Sequence, residues 1–482
     1  MASWRKTARC LLSNSRVIHV AIAGAVRTEW EGNRTMSTVI EAYKSKLITA
    51  DDAAAMVKSH NTVDYYAFTA SSRYLDAALA KRAHELEDVT IRSELRIGPP
   101  FATFMADPEG RAFILDTLFA GPLERLVPLR QRTCTPARLS FFESLFDRGE
   151  ARVDVASFMV SPPDNEGYLY FCPSPALAGS DARGATLFFA EINESLFPIR
   201  GTESRRIHIS EVKYVIEGDN PPLIPVPNPM ITPEDGAIAN HVLREVCDGA
   251  CMQIGYGAVP EAVATLIARS DLKDLGIHTE FLSDGIMRLH KAGKITGSRK
   301  ATDPGKIVSG IVFGSSDLYD FVRTCPDLHL TSSSYANNPA IIQKNDNFVS
   351  INAFLEIDLS GQVNAESIGF RTLSGTGGQL DFVIGSQQAK NGKAILCASS
   401  TFTKKDGTRG SRVASMLTLG ATVTTPRSCV QYVCTEHGIV NLRGRNLWER
   451  AEALISIAHP DFREEIIKEA EAMGVWRGRN RT

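Results

Sequence analysis

Val153-Asp154-Val155-Ala156-Ser157-Phe158-Met159-Val160 runs into Ser161-Pro162-Pro163, an apolar stretch closed by turn residues that reads as a buried strand. Ala185-Thr186-Leu187-Phe188-Phe189-Ala190-Glu191-Ile192 is a second such run, and Ile207 to Ile216 a third. Upstream the period changes: Asp51-Asp52-Ala53-Ala54-Ala55-Met56-Val57 opens a helix with acidic residues at its positive end, and Tyr74 to Leu86 repeats the helical periodicity. Apolar strands alternating with helices predict α/β layers with mainly parallel sheets.

The alternation resumes further on. Asp235 to Cys247 reads as a helix, Asp248 to Gln253 leads into Gly255-Tyr256-Gly257-Ala258-Val259-Pro260, and a further helix runs from Glu261. Strand-like runs recur at Gly310 to Gly314, Phe348 to Leu359, Lys393 to Ala398, Ala421 to Thr424 and Val430 to Cys434. No fixed period links them, which argues against solenoids and propellers. Gly218-Asp219-Asn220-Pro221-Pro222, followed by Pro225, Pro227, Pro229 and Pro233, is the one strongly proline-punctuated stretch. It divides the chain into an N-terminal domain over 37–220, a linker over 221–234 and a C-terminal domain over 235–482.

Composition narrows the function. The chain has 482 residues, 43% of them hydrophobic and 22% charged, enough for two large cores. Lys+Arg 53 against Asp+Glu 55 leaves a net charge of -2 and no global basic field for a nucleic-acid backbone. The longest early apolar stretch, Val17 to Val26, is broken by His19 and falls short of the roughly 20 residues a membrane span needs. Nine scattered cysteines lack paired Cys-x-x-Cys spacing, so reduced thiols and no metal are expected. Arg5, Lys6, Arg9, Arg16 and Arg27, with Ser3, Thr7, Ser13 and Ser15 and no acid before Glu29, have transit-peptide composition. A mitochondrial (matrix) address, or one for a related organelle, over residues 1–36 is expected; a basic tail with no address is the alternative.

Among candidate chemistries, Gly255-x-Gly257-x-x-Pro260 is two thirds of a dinucleotide fingerprint, with Glu280 near the distance of a ribose-binding acid. The third glycine is missing. Pro260 suits the first turn of a helix, so the segment still reads as a glycine turn offering backbone N–H groups to a phosphate or oxyanion, or as a tight structural turn. Ser374-Gly375-Thr376-Gly377-Gly378-Gln379-Leu380-Asp381-Phe382 is a second glycine-rich turn, read as buried and shaped rather than as a surface loop. Gly276-Ile277-His278-Thr279-Glu280 ends an apolar run before a helical pattern at Phe281, Leu282, Ile286 and Leu289. The carboxyl end of a parallel strand faces the ligand crevice, although a lone Glu is more often a solvated charge and a lone His more often structural. No Gly-x-Ser-x-Gly, Walker-type Gly-Lys-Ser/Thr or His-Glu-x-x-His occurs, which removes the usual support for serine hydrolases, P-loop proteins and zincins.

These motifs, with Ser283-Asp284-Gly285, Asn345-Asp346-Asn347, Ser350-Ile351-Asn352, Gly361-Gln362-Val363, Glu366-Ser367-Ile368-Gly369, Thr435-Glu436-His437-Gly438 and Ala458-His459-Pro460-Asp461-Phe462-Arg463, resemble the acetyl-CoA hydrolase/transferase family. The Gly377-Gly378-Gln379 form of the loop resembles the branch of 4-hydroxybutyrate, butyryl and acetate CoA-transferases. The resemblance runs from about Tyr43 to Arg463. It implies two CoA-transferase-type α/β domains with the active site between them, Glu280 as covalent nucleophile, and backbone N–H groups of Tyr256 or Gly257 and of Gly377 or Gly378 as oxyanion donors. It also implies coenzyme A contacts at Gly257, Ala258, Val259, Pro260, Glu261, Gly378, Thr401 and Lys404. Coenzyme A is then a substrate and transient covalent partner, no cofactor is permanently bound, acyl-CoA and a short-chain carboxylate are the partners, and a homodimer is the expected assembly.

The sequence departs from the family at Tyr256, where a small aliphatic residue is usual, at Ile384 in place of an Arg, and at Ala398-Ser399-Ser400-Thr401, which lacks a proline. The segment Thr401 to Arg412 is longer than in bacterial relatives. Val63-Asp64-Tyr65-Tyr66-Ala67-Phe68-Thr69 replaces a glycine-rich turn. Bulky Tyr65, Tyr66, Phe68 and Tyr256 are expected to narrow an acyl pocket toward acetyl or propionyl groups. The leading expectation is an acetate-linked acyl-CoA:carboxylate CoA-transferase, with acetate and succinate the favoured pair. An acyl-CoA hydrolase on the same scaffold is the alternative, and a nucleotide-binding oxidoreductase is disfavoured by the incomplete fingerprint.

Overall fold

The computed structural model describes residues 37–477; the basic, acid-free start of the chain lies outside them. Two parallel sheets dominate, and they share one winding plan. The first carries β1 (Thr62–Ala67), β2 (Val89–Glu94), β3 (Phe113–Thr117), β4 (Arg132–Cys134), β5 (Val155–Val160), β6 (Leu187–Ile192) and β7 (Tyr214–Ile216), in the spatial order β4-β3-β2-β1-β5-β6-β7. Every neighbouring pair in it is parallel.

The second sheet carries β8 (Cys251–Ile254), β9 (Gly276–His278), β10 (Ile307–Ser309), β11 (Leu328–Leu330), β12 (Val349–Ala353), β13 (Lys393–Cys397), β14 (Tyr432–Thr435) and β15 (Gly438–Asn441). Its order is β11-β10-β9-β8-β12-β13-β14-β15, parallel except for the final antiparallel hairpin. In each sheet the first strand is central and the chain winds outward first to one side, then to the other. This creates a switch point between β1 and β5, and another between β8 and β12, where loops splay apart and leave a crevice.

Thr49 and Asp52 form a capping box for α1 (Ala50–Met56), α2 (Tyr74–Ala80) follows β1, and Thr232 with Asp235 forms a capping box for α3 (Pro233–Leu243), which has Pro233 in its first turn. Between Ile216 and Thr232 the chain forms neither helix nor strand. It is anchored instead by Val226 N–H to Gly314 O at 2.7 Å and by Tyr319 Oη to Ile224 O at 3.0 Å.

Three strand readings need correction: Phe348 to Leu359 splits into Val349–Ala353 of the main sheet and Glu356–Asp358, which pairs in a separate small sheet. Ile207 to Ile216 is not one strand: Arg206–His208 pairs antiparallel with Tyr168–Tyr170, a turn follows, and only Tyr214–Ile216 joins the sheet. Ser210 and Glu211 interrupt the apolar run and lie exposed in that turn. Ala421 to Thr424 forms no strand; its neighbour Thr425 makes a single bridge to Val363.

One apolar core runs through both halves, joining Phe158 and Ala190 of the first sheet to Met252, Ile277 and Ile351 of the second. Separate clusters back each half on its far side. The seam is also hydrogen-bonded: Ala176 N–H reaches Gly310 O at 3.0 Å, and Ser174 Oγ reaches Val312 O at 3.0 Å. Among the described residues no helix is long and apolar enough to cross a membrane.

Candidate active site

The carboxyl ends of both sheets open onto one cleft. Gly255 and Tyr256 after β8, Glu280 and Phe281 after β9, Asn352 and Ala353 at the end of β12, and the loop from Gly375 to Gln379 line a cavity of about 240 Å³. Behind it lies a second, mostly apolar space of about 40 Å³, walled by Tyr66, Phe68, Glu94, Leu118 and Leu177. Glu280, Phe281, Leu95, Phe119 and Gly377 belong to both walls, so Glu280 sits where the outer cleft meets the inner pocket.

Glu280 lies two residues past the end of β9, and the neighbouring β10 segment fixes its backbone: its carbonyl accepts from Ile311 N–H at 2.9 Å and from Ser309 Oγ at 2.9 Å. Its carboxylate is buried and accepts a 2.6 Å hydrogen bond from Asn337 Nδ2. Burial raises its pKa to about 7; the Asn337 hydrogen bond opposes that rise, and the Asp381 carboxylate adds to it. Near neutrality such a group exists as both carboxylate and acid, a perturbation typical of functional-site carboxylates.

The Gly-Gly turn gives that carboxylate its room. A Cβ on Gly378 would lie 1.8 Å from Glu280 Oε2 and 2.1 Å from Asn337 Nδ2. The loop is held from the first half, because Leu139 N–H donates to Gly377 O at 3.3 Å and Ala120 N–H to Ser374 O at 3.3 Å. Gly375 passes so close to Leu118 that a Cβ would meet its carbonyl oxygen at 1.7 Å. Gln379 ties the loop to the second sheet by donating to Ala353 O at 2.6 Å and accepting from Thr425 Oγ1 at 3.1 Å.

Gly257 caps α4 (Ala258–Arg269) with φ +141°, a conformation that favours glycine, and Pro260 occupies the first turn. Among the described residues the N–H groups of Tyr256, Gly257, Gly377 and Gly378 donate to no backbone acceptor, leaving them free for an anionic oxygen. The Tyr256 ring packs on Phe313 with centroids 4.8 Å apart, and its hydroxyl donates to Pro227 O in the proline-rich segment at 3.3 Å.

The other expected contact residues divide. Gly378 and Pro260 line the cleft with Tyr256. Ala258 and Val259 begin the helix, with Val259 in the core. Glu261 is paired with Arg288 of α5 (Asp284–Lys291), so its carboxylate is already committed. Thr401 and Lys404 sit at the hairpin formed by Thr401–Thr403 and Arg409–Ser411, outside the residues that line the cleft. Of the four aromatic residues expected to narrow the acyl space, Tyr66 and Phe68 do line the inner pocket and Tyr256 the outer cleft. Tyr65 points the other way, into the far-side core of the first half, because successive strand side chains face opposite sides.

Sequence reasoning missed Asn337 and Glu94. Asn337 follows the one-turn helix Ser333–Ala336, whose last carbonyl accepts from His278 Nε2 at 2.8 Å. His278 is fully buried and its pKa is lowered to about 4, chiefly by desolvation; it is a neutral support for the Asn337 turn. The available signal was Asn337-Asn338-Pro339, a helix-boundary triplet. Glu94 ends β2, and burial among Asp64, Asp116 and Glu124 raises its pKa well above the usual range, with Arg92 opposing. His290, Cys325 and Asp327 form one potential metal-ligand trio among the described residues; within it His290 and Asp327 pair at 3.0 Å.

Comparison with known proteins places this geometry. The acetyl-CoA hydrolase/transferase N-terminal domain model matches residues 33–227 and the C-terminal domain model residues 314–470. A probable butyrate:acetyl-CoA coenzyme A-transferase of Syntrophomonas wolfei is 41% identical over 92% of this chain and 99% of its own length. A succinyl-CoA:acetate/propanoyl-CoA:succinate CoA transferase of Fasciola hepatica is 37% identical over 76% of this chain and 75% of its own. At lower identity, an acetyl-CoA hydrolase of Candida albicans matches at 26% over 53% of this chain and 49% of its own. Among solved structures, RipA from Yersinia pestis superposes with a TM-score of 0.81 at 32% identity, covering 91% of this chain and 99% of that one.

Proposed function

The chain belongs to the acetyl-CoA hydrolase/transferase family and is an enzyme of the CoA-transferase type, and from that premise we propose that Glu280 carries coenzyme A covalently between two short-chain acids. The Glu280 carboxylate attacks the thioester carbonyl of the donor, expelling CoA thiolate and leaving an acyl-glutamyl anhydride. The thiolate then attacks the glutamyl carbonyl, releasing the first acid and leaving a glutamyl-CoA thioester. The acceptor carboxylate attacks that thioester, re-forming an anhydride and the thiolate. Thiolate attack on the acceptor's carbonyl yields the new acyl-CoA and returns Glu280 as carboxylate.

Each attack develops an oxyanion. The unpaired N–H groups of Tyr256 or Gly257 and of Gly377 or Gly378 are assigned to hold it; loss of one such donor typically costs about 3 kcal/mol. The observation that carries this reading is Glu280 itself: buried between the two cavities, held by one donor, with its pKa near 7 and no side chain on Gly378 to crowd it. The first residues of the helix after Gly257, with Thr401 and Lys404, are assigned to CoA.

The inner pocket of about 40 Å³ has room for only a few heavy atoms, since a single water needs roughly 10–15 Å³ of such space. That size favours acetyl or propionyl groups, and succinate as the partner acid agrees with the activity for which the Fasciola relative is named. Steady-state kinetics across a panel of CoA esters against acetate and succinate tests this reading. Ping-pong kinetics with acceptor-dependent CoA exchange is expected. Release of free CoA at the same rate without any carboxylate would instead establish the hydrolase reading, in which water intercepts the covalent intermediate. The basic, acid-free start before Glu29 supports delivery to the mitochondrial matrix or a related organelle; a reporter fused to residues 1–36 that stays cytosolic would refute it.

A further inference from the structure

A third cavity, of about 530 Å³, lies apart from the Glu280 cleft, on the seam between the two halves. The seam here is unusually close. Gly201, at φ +147°, bridges to Leu330 of the edge strand β11, and a Cβ on it would fall 1.7 Å from the Leu330 carbonyl oxygen. Leu330 N–H donates to Arg200 O at 3.0 Å and Thr202 N–H to Leu330 O at 3.0 Å. The cavity beside this crossing takes Arg200 and Arg205 from the first half and Lys306, Arg323 and His329 from the second, with no acidic residue in its wall.

Most of that charge is unneutralised. Among the described residues no carboxylate reaches salt-bridge distance of Arg200, Lys306 or Arg323. Lys306 Nζ meets only the Pro326 carbonyl, at 3.0 Å. The Arg323 guanidinium lies 4.4 Å from the Phe197 ring centroid, which steadies its orientation without cancelling its charge. Arg205 is different: its Nε donates to Ile199 O and its Nη1 to Gly201 O and Thr202 O, with Glu203 at 3.4 Å. It braces the turn that carries Arg200. His329 faces Asp303 at 3.2 Å.

In a chain with a net charge of -2, such a local cluster of cations within a concavity has to be supplied by particular residues, and it focuses a field for anions. The volume falls within the roughly 300–1,000 Å³ of small-molecule sites. Arginine forks from two directions match the several oxygens of a phosphate chain better than a single carboxylate. We propose that this seam pocket binds a small molecule carrying two or more adjacent phosphates, held jointly by Arg200 from one half and Lys306 and Arg323 from the other. The proposal is independent of the chemistry assigned to Glu280.

The test is isothermal titration of the full-length protein, free of coenzyme A because that molecule itself carries a diphosphate, with orthophosphate, pyrophosphate and ATP at low salt. Pyrophosphate is expected to bind saturably and more tightly than orthophosphate, and to weaken steeply with added salt. Replacing Arg200→Ala and Arg323→Ala together is expected to weaken pyrophosphate by about tenfold or more, while circular dichroism and transferase activity stay near wild type because both side chains are exposed. ATP binding tighter than pyrophosphate would identify a nucleotide as the source of the phosphates; the reverse would identify a free polyphosphate. The inference is overturned if neither pyrophosphate nor ATP binds saturably, if pyrophosphate binds no tighter than orthophosphate, or if the double variant binds as wild type does.

Discussion

Glu94 and Glu280 occupy equivalent places in the two halves. Each stands at the carboxyl end of the second strand of a sheet wound in the same order, and both wall the small inner pocket. Their surroundings differ. Glu280 also opens on the larger cleft, receives a donor from Asn337 and has a pKa near 7. Glu94 does not line that cleft; its burial first, and then the charges of Asp64, Asp116 and Glu124, raise its pKa well above the usual carboxylate range. Topology brings a carboxyl group to the crevice in both halves, but only Glu280 has the access to the larger cleft that the proposed nucleophile needs. The other is suited to hydrogen-bond or shape the acyl end.

The largest expected effect is at the nucleophile. Glu280→Gln keeps the shape and removes the attacking oxygen, so transfer should fall by about 10³-fold or more with CoA binding retained; kcat and equilibrium CoA affinity measured side by side would show the split. Gly378→Ala comes next. The atoms its methyl would strike are the mobile Glu280 carboxylate and Asn337 amide, so the side chains should shift while the fold holds, with kcat down about 10²-fold and little change in Tm.

Asn337→Ala removes the one interaction that lowers the Glu280 pKa. Glu280 must be ionised to attack, so in the wild-type enzyme kcat/KM should climb with pH through about 7. In the variant that midpoint should move upward, giving about a tenfold loss at neutral pH that partly recovers at higher pH. The smallest effect is expected of Glu94→Gln, which keeps the size and hydrogen-bonding capacity of the side chain. Activity should stay within about tenfold, the relative use of acetyl and longer acyl groups should shift, and the pH midpoint should remain near 7, because Asp381 rather than Glu94 is the charge that acts on Glu280. A larger loss from Glu94→Gln than from Glu280→Gln would reverse the assignment of the two residues.

Much of this arrangement was legible in the sequence. Val155–Val160, Leu187–Ile192 and Lys393–Cys397 read as strands because their apolar runs are continuous, and the Gly-x-Gly turn before α4 was recognisable because few residues tolerate its backbone. The reading failed where local pattern meets long-range contact. Ile207 to Ile216 carries strand-like residues, yet pairing with Tyr168–Tyr170 takes only its start. The directions of Tyr65 and Tyr66 depend on strand register, which a run of adjacent aromatics does not reveal. Asn337 lies 57 positions from the carboxylate it touches, and the charge around Glu94 is assembled from three strands and a turn. Neither leaves a spacing to read.

The assignment of Glu280 is tested most directly by trapping. The enzyme is incubated with acetyl-CoA, treated with borohydride and digested, and the peptide containing Glu280 is weighed by mass spectrometry. A glutamyl thioester should be reduced to the corresponding alcohol at Glu280, and the signal should vanish in Glu280→Gln. The modification appearing on Glu94 or another carboxylate, or full transfer activity with no modified peptide, would contradict the account.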